Sequence, residues 1–534
     1  MPENIQKDLG NSTLHSEVFL DDFMFDYDAK SIISQSIETS KDYSDFLNYY
    51  SVQVQPTLLL IGEGKEAKKF LDTVKSYPKI PYQVGLLNAK DIISISGNLG
   101  EFEAKIKISN TESTLEPQIG KVEFSQAVIF YEDDYLTRFM GIEKANDYND
   151  ALELLQALDS RIGEYRYEKK INYNPDYCQY LHRRPNKHQQ GYCHKCADIC
   201  PTFGVGKDDS LMELVFSKID CIGCGNCVSV CPSGALERDG YDKEALFEIA
   251  KLYKNKTPVV MDFETFTTLK NFDFCNCVPL LLPQVNFLNE MYLMTLIQES
   301  GSQIIIFTKN PSENLIESAK LINNIYNSIA SLQTVHIVKE TKSLIHLCNT
   351  IKPNNELFYT YAQNQREPLR NIFAQRLMFL IKNNDYGKIK NTKTSTYGEI
   401  ILNQDACTLC MSCVGACNVR SLSANASNFS LQFNPSSCTS CGYCVDSCPE
   451  NAISLELSGI SLNPSWFENK TLAQDKMFEC IECNKPFATT KSIQKIKSIM
   501  LPVFQNDEAK IRSLECCPDC KVKVMFEKNF EAFI

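Results

Sequence analysis

Three stretches of the chain carry four cysteines at one repeated spacing, Cys-x2-Cys-x2-Cys-x3-Cys. A loop of this kind can present three thiolates to three irons of a [4Fe–4S] cubane, and the fourth cysteine then ligates the other cluster of a pair. The spacing therefore predicts paired iron–sulfur clusters. The three runs are Cys221-Cys224-Cys227-Cys231, Cys407-Cys410-Cys413-Cys417 and Cys438-Cys441-Cys444-Cys448.

The two later runs lie close together in the chain and predict one complete pair of clusters. Each cluster is expected to take the first three cysteines of one run and the last cysteine of the other. Asn418 follows the last cysteine of the earlier run, whereas Pro232 and Pro449 occupy this position in the other two complete runs. This departure removes no ligand. The expected sets are Cys407, Cys410, Cys413 and Cys448 for one cluster, and Cys417, Cys438, Cys441 and Cys444 for the other.

An earlier part of the chain combines one complete run with an altered one. The altered run ends in Cys-Pro but lacks its first cysteine, and Cys178 lies upstream beyond an inserted segment, residues 179–192. We expect Cys178 to replace the missing thiolate. The expected sets are Cys178, Cys193, Cys196 and Cys231 for one cluster, and Cys200, Cys221, Cys224 and Cys227 for the other.

The inserted segment leaves two questions open. His182, His188 or His194 could supply the fourth ligand instead of Cys178, or a [3Fe–4S] cluster could form; the alternative interpretation is that these histidines are exposed on a polar loop. The segment also predicts a local positive patch on an acidic protein, which would help a redox partner to dock. The residues of this patch are Arg183, Arg184, Lys187 and Lys195.

The C-terminal region contains two further Cys-x2-Cys pairs, Cys480 with Cys483 and Cys517 with Cys520. Two such pairs are typical of a zinc ribbon, in which four thiolates close the coordination sphere of a structural ion. The pattern predicts one zinc ion without a catalytic role, with Cys516 left over. A single iron held as in rubredoxin is the alternative.

Three cysteines remain outside these sets. Cys348 is expected to be a buried structural thiol. Cys275 and Cys277 have two interpretations: they are structural thiols like Cys348, or they have a redox role or contact a cluster.

Composition narrows the class of protein. The formal net charge of −12 argues against a nucleic-acid partner, which requires a basic surface. So many free thiolates in a long chain predict a reducing, cytoplasmic location rather than a secreted disulfide scaffold. The first residues show no basic segment followed by an apolar one, and Pro283 and Glu290 interrupt the most apolar stretch, so we expect neither a secretory signal nor membrane insertion.

The fold class predicted for the chain that positions these cysteines is α/β plus α+β, and it includes two Rossmann-like α/β segments. Leu58 to Ile61, then Gly62 and Gly64, predict a strand, a turn and a helix. A dinucleotide site is one interpretation of this turn, although Ala67 replaces the third glycine; a structural turn is the other. Farther on, Ser312 is expected to cap a helix spanning residues 313–331.

The cysteine blocks and the α/β segments divide the chain into seven parts. The expected parts are a polar N-terminal extension (1–55), an α/β domain (56–169), a first dicluster domain (170–245), a second α/β domain (246–385), a linker (386–399), a second dicluster domain (400–460) and a zinc-ribbon-like tail (476–534).

The two cysteine blocks resemble bacterial dicluster ferredoxin domains, and the whole layout resembles the large cytoplasmic polyferredoxin-type 4Fe-4S binding proteins of bacteria. The resemblance implies a carrier that relays single electrons through about four [4Fe–4S] clusters. It also implies redox partner proteins, formate dehydrogenase or another anaerobic or respiratory oxidoreductase among them. We assign no catalytic residue. A self-contained reductase with a flavin or nucleotide in the α/β segments, and a cluster-sensing or assembly protein, are the alternatives.

Overall fold

The computed structural model describes residues 20, 23, 25–45, 49–77, 79–108, 118–363, 366–505 and 507–531. Two α/β domains alternate along the chain with two small cysteine-rich domains, and a mostly helical tail follows. Within the described ranges, no helix combines the length and the apolar character needed to cross a membrane.

The N-terminal segment contains helix α1 (Tyr27–Asp42), which begins where the Asp26 carboxylate accepts a 2.7 Å hydrogen bond from the Ala29 amide. The helix buries Ala29 and Ile33 against residues 243–252 and 277–282 of the second α/β domain. Residues 1–19 of the predicted polar extension lie outside the described residues. Helix α1 is therefore a packed element, although its sequence is largely polar.

The first α/β domain is built on a parallel sheet of strand order β3-β2-β7-β8. Leu58 and Leu60 face helices α2 and α3, while Leu59 and Ile61 face a three-stranded antiparallel sheet, β4-β5-β6. Both faces of β2 are thus buried, as in most parallel sheets. The elements are β1 (Tyr49–Val54), β2 (Thr57–Ile61), α2 (Lys65–Ser76), β3 (Gln83–Leu87), β4 (Ile92–Ser96), β5 (Phe102–Ile108), β6 (Gln118–Phe124), β7 (Gln126–Ile129), β8 (Ile142–Lys144), α3 (Ala151–Asp159) and β9 (Gly163–Glu168).

The turn after β2 has a packing role. A Cβ atom at Gly62 would lie 2.9 Å from the Cβ atom of Phe130, so only glycine lets the turn approach the end of β7. This contact favours the structural interpretation of the Gly62 and Gly64 pair.

The first cysteine-rich domain, whose strands and helices span residues 171–238, consists of short helices between two antiparallel strand pairs, β10 with β13 and β11 with β12. The outer pair brings the two ends of the domain together, and the inner pair is a hairpin between the halves. The elements are β10 (Ile171–Tyr173), α4 (Lys195–Ile199), β11 (Val205–Asp208), β12 (Glu213–Phe216), α5 (Asn226–Ser229) and β13 (Leu236–Arg238).

The second α/β domain has a parallel sheet of order β15-β14-β16-β17. In both α/β domains the first strand of the sheet lies between the second and the third, so the two sheets share one topology. A buried ion pair, Arg376 to Glu299 at 2.8 Å, joins α11 to α8. The elements are α6 (Lys243–Leu252), β14 (Thr257–Asp262), α7 (Phe263–Thr267), β15 (Cys277–Leu282), α8 (Glu290–Ser300), β16 (Ile304–Phe307), α9 (Glu313–Ala330), β17 (Val335–Val338), α10 (Thr341–Thr350) and α11 (Leu369–Ile381).

The second cysteine-rich domain (residues 400–460) repeats the plan of the first, with β19 paired to β22 outside and the hairpin β20–β21 inside. The connection before it is packed: Tyr397 is buried and donates a 2.8 Å hydrogen bond to Glu290. The elements of the domain and its flanks are β18 (Lys388–Ile389), β19 (Glu399–Leu402), α12 (Ser412–Ala416), β20 (Leu422–Asn425), β21 (Ser430–Phe433), α13 (Tyr443–Asp446), β22 (Ile453–Glu456), β23 (Ile460–Ser461) and β24 (Lys470–Gln474).

The tail begins with a hairpin and continues as three helices. Ser492 donates a 2.7 Å hydrogen bond to the carbonyl of Thr408, and Lys495 pairs with Glu450 at 3.2 Å, so the tail rests on the second cysteine-rich domain. The elements are β25 (Met477–Glu479), β26 (Pro486–Thr489), α14 (Thr490–Phe504), α15 (Glu508–Ser513) and α16 (Pro518–Glu531).

Candidate iron–sulfur and metal centres

The three complete cysteine runs adopt one loop conformation. In each, the residues immediately before and after the second cysteine have positive φ, whether they are glycine or not. A left-handed conformation costs an ordinary residue about 1–2 kcal/mol, so the surrounding fold must impose this shape. The positions and φ angles are Gly223 (72°) and Gly225 (79°), Leu409 (56°) and Met411 (61°), and Ser440 (55°) and Gly442 (82°).

The second cysteine-rich domain brings together both of its predicted sets. Each set of four lines one cavity, and in each cavity the last cysteine of one run meets the first three of the other. We call these cavities site 3 and site 4. Site 3 is lined by Cys417, Cys438, Cys441 and Cys444, and site 4 by Cys407, Cys410, Cys413 and Cys448.

The surroundings of these cysteines suit thiolates that bind a cationic cluster. The amide of Ser440 lies 3.3 Å from the Cys438 Sγ, and the amide of Ala452 lies 3.3 Å from the Cys448 Sγ. Burial raises the pKa of Cys413 and that of Cys438 to about 11, so these two free thiols are protonated at neutral pH. A metal that takes the place of the proton removes this penalty, and the amides then stabilise the thiolate.

In the first cysteine-rich domain, Cys178 belongs to a small buried cluster against which Cys231 packs. Burial, then the neighbouring Cys231 and Cys178 thiolates, raise the pKa of Cys193 to about 12. Burial, then Cys221, Cys224 and Cys200, raise the pKa of Cys227. We call the two sets expected from the sequence site 1 and site 2. Site 1 is the expected set Cys200, Cys221, Cys224 and Cys227, and site 2 is the expected set Cys178, Cys193, Cys196 and Cys231.

The turn that precedes Cys178 marks it as the first cysteine of a run. Asn174 caps a single 3-10 turn, the Cys178 amide donates to the carbonyl of Pro175 at 3.0 Å, and the Tyr180 amide lies 3.5 Å from the Cys178 Sγ. Cys438 sits in the same turn, capped by Asn434. The shared Asn-Pro-x-x-Cys sequence could have revealed this equivalence before the structure.

Two of the three candidate histidines contact carboxylates, and the third is exposed. A ring nitrogen of His182 lies 2.6 Å from Glu213, and one of His194 lies 2.6 Å from Asp198. His188 is exposed. Among the alternatives left open by the sequence, the geometry therefore favours Cys178 over a histidine in site 2.

The prediction that Arg183 belongs to an exposed positive patch is wrong. Arg183 is only 7% exposed, and its guanidinium lies against the second cysteine-rich domain, 4.6 Å from the ring centroid of Tyr443. Lys195 is half-buried, with its Nζ 3.5 Å from the carbonyl of Thr394. The inserted segment folds back between the two domains, and this placement buries a charge that the sequence alone placed at the surface.

The tail gathers its two cysteine pairs into a compact group. The four Sγ atoms lie within 4.8 Å of one another, and those of Cys483 and Cys517 are 3.7 Å apart. A tetrahedral zinc ion with Zn–S bonds of about 2.3 Å separates its sulfurs by about 3.8 Å, so the group suits one ion. Over the described part of the chain, no other set of three or more potential ligand atoms is this close, which sets the tail apart from sites 1 to 4.

The local electrostatics of the tail favour a thiolate. Burial raises the pKa of Cys480, but backbone amides of Cys517, Glu482 and Cys483 outweigh it and lower the pKa to about 6. The Cys517 amide lies 3.2 Å from the Cys480 Sγ. Such amides stabilise a metal-bound thiolate in the same way.

The two pairs stand on different elements. Cys480 and Cys483 lie in the loop of the β25–β26 hairpin, whereas Cys517 and Cys520 lie at the start of α16, not on the second hairpin that a ribbon would supply. Cys516 stays outside the group, and its thiol donates to the carbonyl of Arg512 at 3.3 Å.

The remaining cysteines belong to the second α/β domain. Cys277 and Cys348 are buried there, and the Cys277 thiol donates to the carbonyl of Cys348 at 3.7 Å. Cys275 is exposed, with its thiol 3.4 Å from the Asn349 side chain.

Comparison with known families matches two parts of the chain. Residues 399–449, which include all eight cysteines of sites 3 and 4, match the 4Fe-4S dicluster domain, and residues 214–237 match the 4Fe-4S binding domain. The chain is an iron–sulfur binding protein. Its ferredoxin-type domains indicate iron–sulfur electron transfer. No curated protein matches it. The altered run and Cys178 lie outside both matched regions.

Proposed function

We propose that this iron–sulfur protein relays single electrons through four [4Fe–4S] clusters, one in each of sites 1 to 4. The observation that carries the proposal is the grouping of eight cysteines around the cavities of sites 3 and 4, each set divided between two runs. The expected sets of sites 1 and 2 repeat the same cysteine pattern. Electron transfer between such clusters needs no nucleophile or proton donor. The protein's part is to hold the clusters close together and to set their potentials through burial, charge and hydrogen bonds.

The arrangement of the sites supports a single continuous route. Sites 1 and 2 are neighbours within the first domain, because Cys227 and Cys231 lie on one helical turn, in which the Cys231 amide donates to the carbonyl of Val228 at 3.2 Å. Sites 3 and 4 are neighbours in the same way, because Cys413 and Cys417 lie on one turn, in which the Cys417 amide donates to the carbonyl of Val414 at 3.1 Å. Between the domains, the Asn418 side chain donates a 3.0 Å hydrogen bond to the carbonyl of Cys178. The proposed order is therefore site 1, site 2, site 3 and site 4.

The partner we propose is an anaerobic or respiratory oxidoreductase, with formate dehydrogenase as one candidate. The net charge of −12 suits docking on a basic surface of that partner. Site 4 is the natural contact point, because its Cys410 is exposed.

For the tail we propose one structural zinc ion held by Cys480, Cys483, Cys517 and Cys520. Four thiolates leave no open coordination position, so the ion would stabilise the fold rather than react. A structural zinc contributes on the order of 10 kcal/mol to a small domain, enough to order the helices that rest on site 4. A rubredoxin-like iron would occupy the same geometry.

Metal and sulfide analysis of protein purified without oxygen, together with low-temperature EPR of the reduced form, tests both proposals. Four filled cubanes and the tail predict about 16 iron and about one zinc per chain. About 12 iron, or an EPR signal from a three-iron cluster in the oxidised protein, would contradict four complete cubanes. About 17 iron without zinc would instead assign iron to the tail.

A further inference from the structure

Two departures from the regular cysteine pattern meet in space. One is the inserted segment, residues 179–192, and the other is Asn418, which stands where proline follows the last cysteine of every other run. The Asn418 amide group donates to the carbonyls of Cys178 (3.0 Å) and Asp176 (3.3 Å), and its oxygen accepts a 2.6 Å hydrogen bond from Arg183. One side chain thus joins a loop of site 2 to a loop of site 3.

Arg183 completes this contact from the inserted segment. Its Nη1 lies 3.5 Å from the Cys441 Sγ, and its Nη2 lies 3.4 Å from the carbonyl of Ala416. The guanidinium also stacks on Tyr443, and Arg183 as a whole is 7% exposed. A residue of the first domain therefore places a positive charge and a hydrogen-bond donor on a ligand sulfur of the second.

We propose that Arg183 and Asn418 form the junction through which electrons cross between the two domains, an inference that rests on the proposed relay. Asn418 supplies a short bonded route, from Cys178 through its carbonyl and the Asn418 side chain to the adjacent Cys417. Arg183 raises the reduction potential of the cluster in site 3. In the transfer step, a reduced cluster in site 2 loses one electron and the oxidised cluster in site 3 gains it, and no bond or proton moves.

The role of Arg183 follows from charge. Reduction adds a negative charge to the cluster, so a nearby cation and a donor to a ligand sulfur stabilise the reduced form and raise the potential. We expect this preference to change the distribution of an electron between sites 2 and 3 about tenfold, equivalent to about 59 mV. Electrons that arrive in site 2 are therefore drawn towards site 3.

The role of Asn418 follows from what proline lacks. Proline has no side-chain donor or acceptor, so at this position it would leave Arg183 and the Cys178 carbonyl without these partners. The other three cysteines that end a run are followed by Pro201, Pro232 and Pro449. The exception falls at the boundary between the domains.

Redox titration of the full-length protein, followed by EPR, tests the Arg183 role. Arg183→Gln should shift the electron distribution away from site 3 by about tenfold, equivalent to about 59 mV for one electron, and Arg183→Lys should restore part of the shift. Arg184→Gln is the matched control, because Arg184 is exposed. Within the described residues, its side chain donates one hydrogen bond, to the backbone carbonyl of Asp446 at 3.4 Å. An unchanged site 3 potential in Arg183→Gln, at full iron content, would overturn this role.

Freeze-quench EPR after rapid photoreduction tests the Asn418 route. Asn418→Pro, and Asn418→Ala in case proline disturbs the loop, should slow electron transfer from site 2 to site 3 several-fold while the iron content stays constant. Pro449→Asn makes the reciprocal change away from the domain boundary and should leave the rate unaltered. Equal rates in all variants would refute the route. Wild-type protein with fewer than about 16 iron would instead count against the relay itself.

Discussion

The two cysteine-rich domains share a topology but differ in how the rest of the chain encloses them. In the first, a Cβ atom at Gly225 would lie 2.5 Å from the Phe287 Cβ, and Arg138 donates to the carbonyls of Cys200 and Thr202. In the second, no described atom lies within 4 Å of a Cβ atom at Gly442, the equivalent position. The same cysteine loop is thus crowded by a neighbouring domain at Gly225 and is open at Gly442.

The two domains also differ in the regularity of their cysteine runs. Site 2 uses a run interrupted by residues 179–192, and the neighbouring domain holds that insertion in place through Arg183 and Tyr192. Site 4 uses an uninterrupted run and leaves Cys410 exposed. The first domain therefore encloses all its cysteines, whereas the second leaves one of them exposed.

The largest effect is expected from removing one central ligand in each domain. Cys224→Ser and Cys441→Ser should each lose a cubane, about four iron, and destabilise the paired cluster. Cys224→Ser should also lower the thermal unfolding midpoint of the whole protein more, because the first domain packs against both α/β domains. Anaerobic iron analysis and thermal unfolding measure these effects. Full iron occupancy in either variant would count against the ligand sets.

The split run offers the next test of the comparison. Cys178→Ser should lose iron to the same extent as Cys441→Ser, because Cys178 occupies the same capped turn as Cys438. His182→Gln is the control and should keep its iron, since the His182 ring faces Glu213. Iron loss from His182→Gln but not from Cys178→Ser would mean that His182, rather than Cys178, is the ligand of site 2.

Alanine substitutions at Gly225 and Gly442, which occupy equivalent positions, measure how much the surrounding domains constrain each loop. Gly225 and Gly442 have nearly equal φ, 79° and 82°, so alanine should cost about 1 kcal/mol of backbone strain at each. At Gly225 the collision with Phe287 should add about 1–3 kcal/mol more. Thermal unfolding of the cluster-loaded variants should therefore show a larger loss for Gly225→Ala. Equal losses would mean that the second α/β domain does not press on site 1.

The smallest effect concerns sensitivity to oxygen. Cys410 of site 4 is exposed, whereas none of the eight cysteines of sites 1 and 2, all within the described ranges, is exposed. During limited exposure to air, the site 4 cluster should be lost before those of the first domain. EPR spectra recorded at intervals would follow this order. Simultaneous loss of all clusters would show that enclosure does not protect the first domain.

Much of the local structure was predictable because its causes are local. The helix expected at 313–331 is observed at Glu313–Ala330 with Ser312 as its cap, since apolar periodicity and a capping hydroxyl act over a few residues. The strand, turn and helix after Thr57 are also observed. The packing of helix α1 follows from no local pattern, because Ala29 and Ile33 meet partners that lie more than 200 residues away along the chain.

The sequence by itself determined the chemistry: cysteine spacing selects the cluster type, because a thiolate loop of fixed length can reach only the corners of one cube. It also determined the separate character of the tail, whose cysteine pairs suit a single ion. Only the tertiary structure decided that Arg183 lies on the Cys441 sulfur and that Asn418 bridges the domains. These contacts join residues up to 258 positions apart, and such distances are closed by packing between domains rather than by any local pattern.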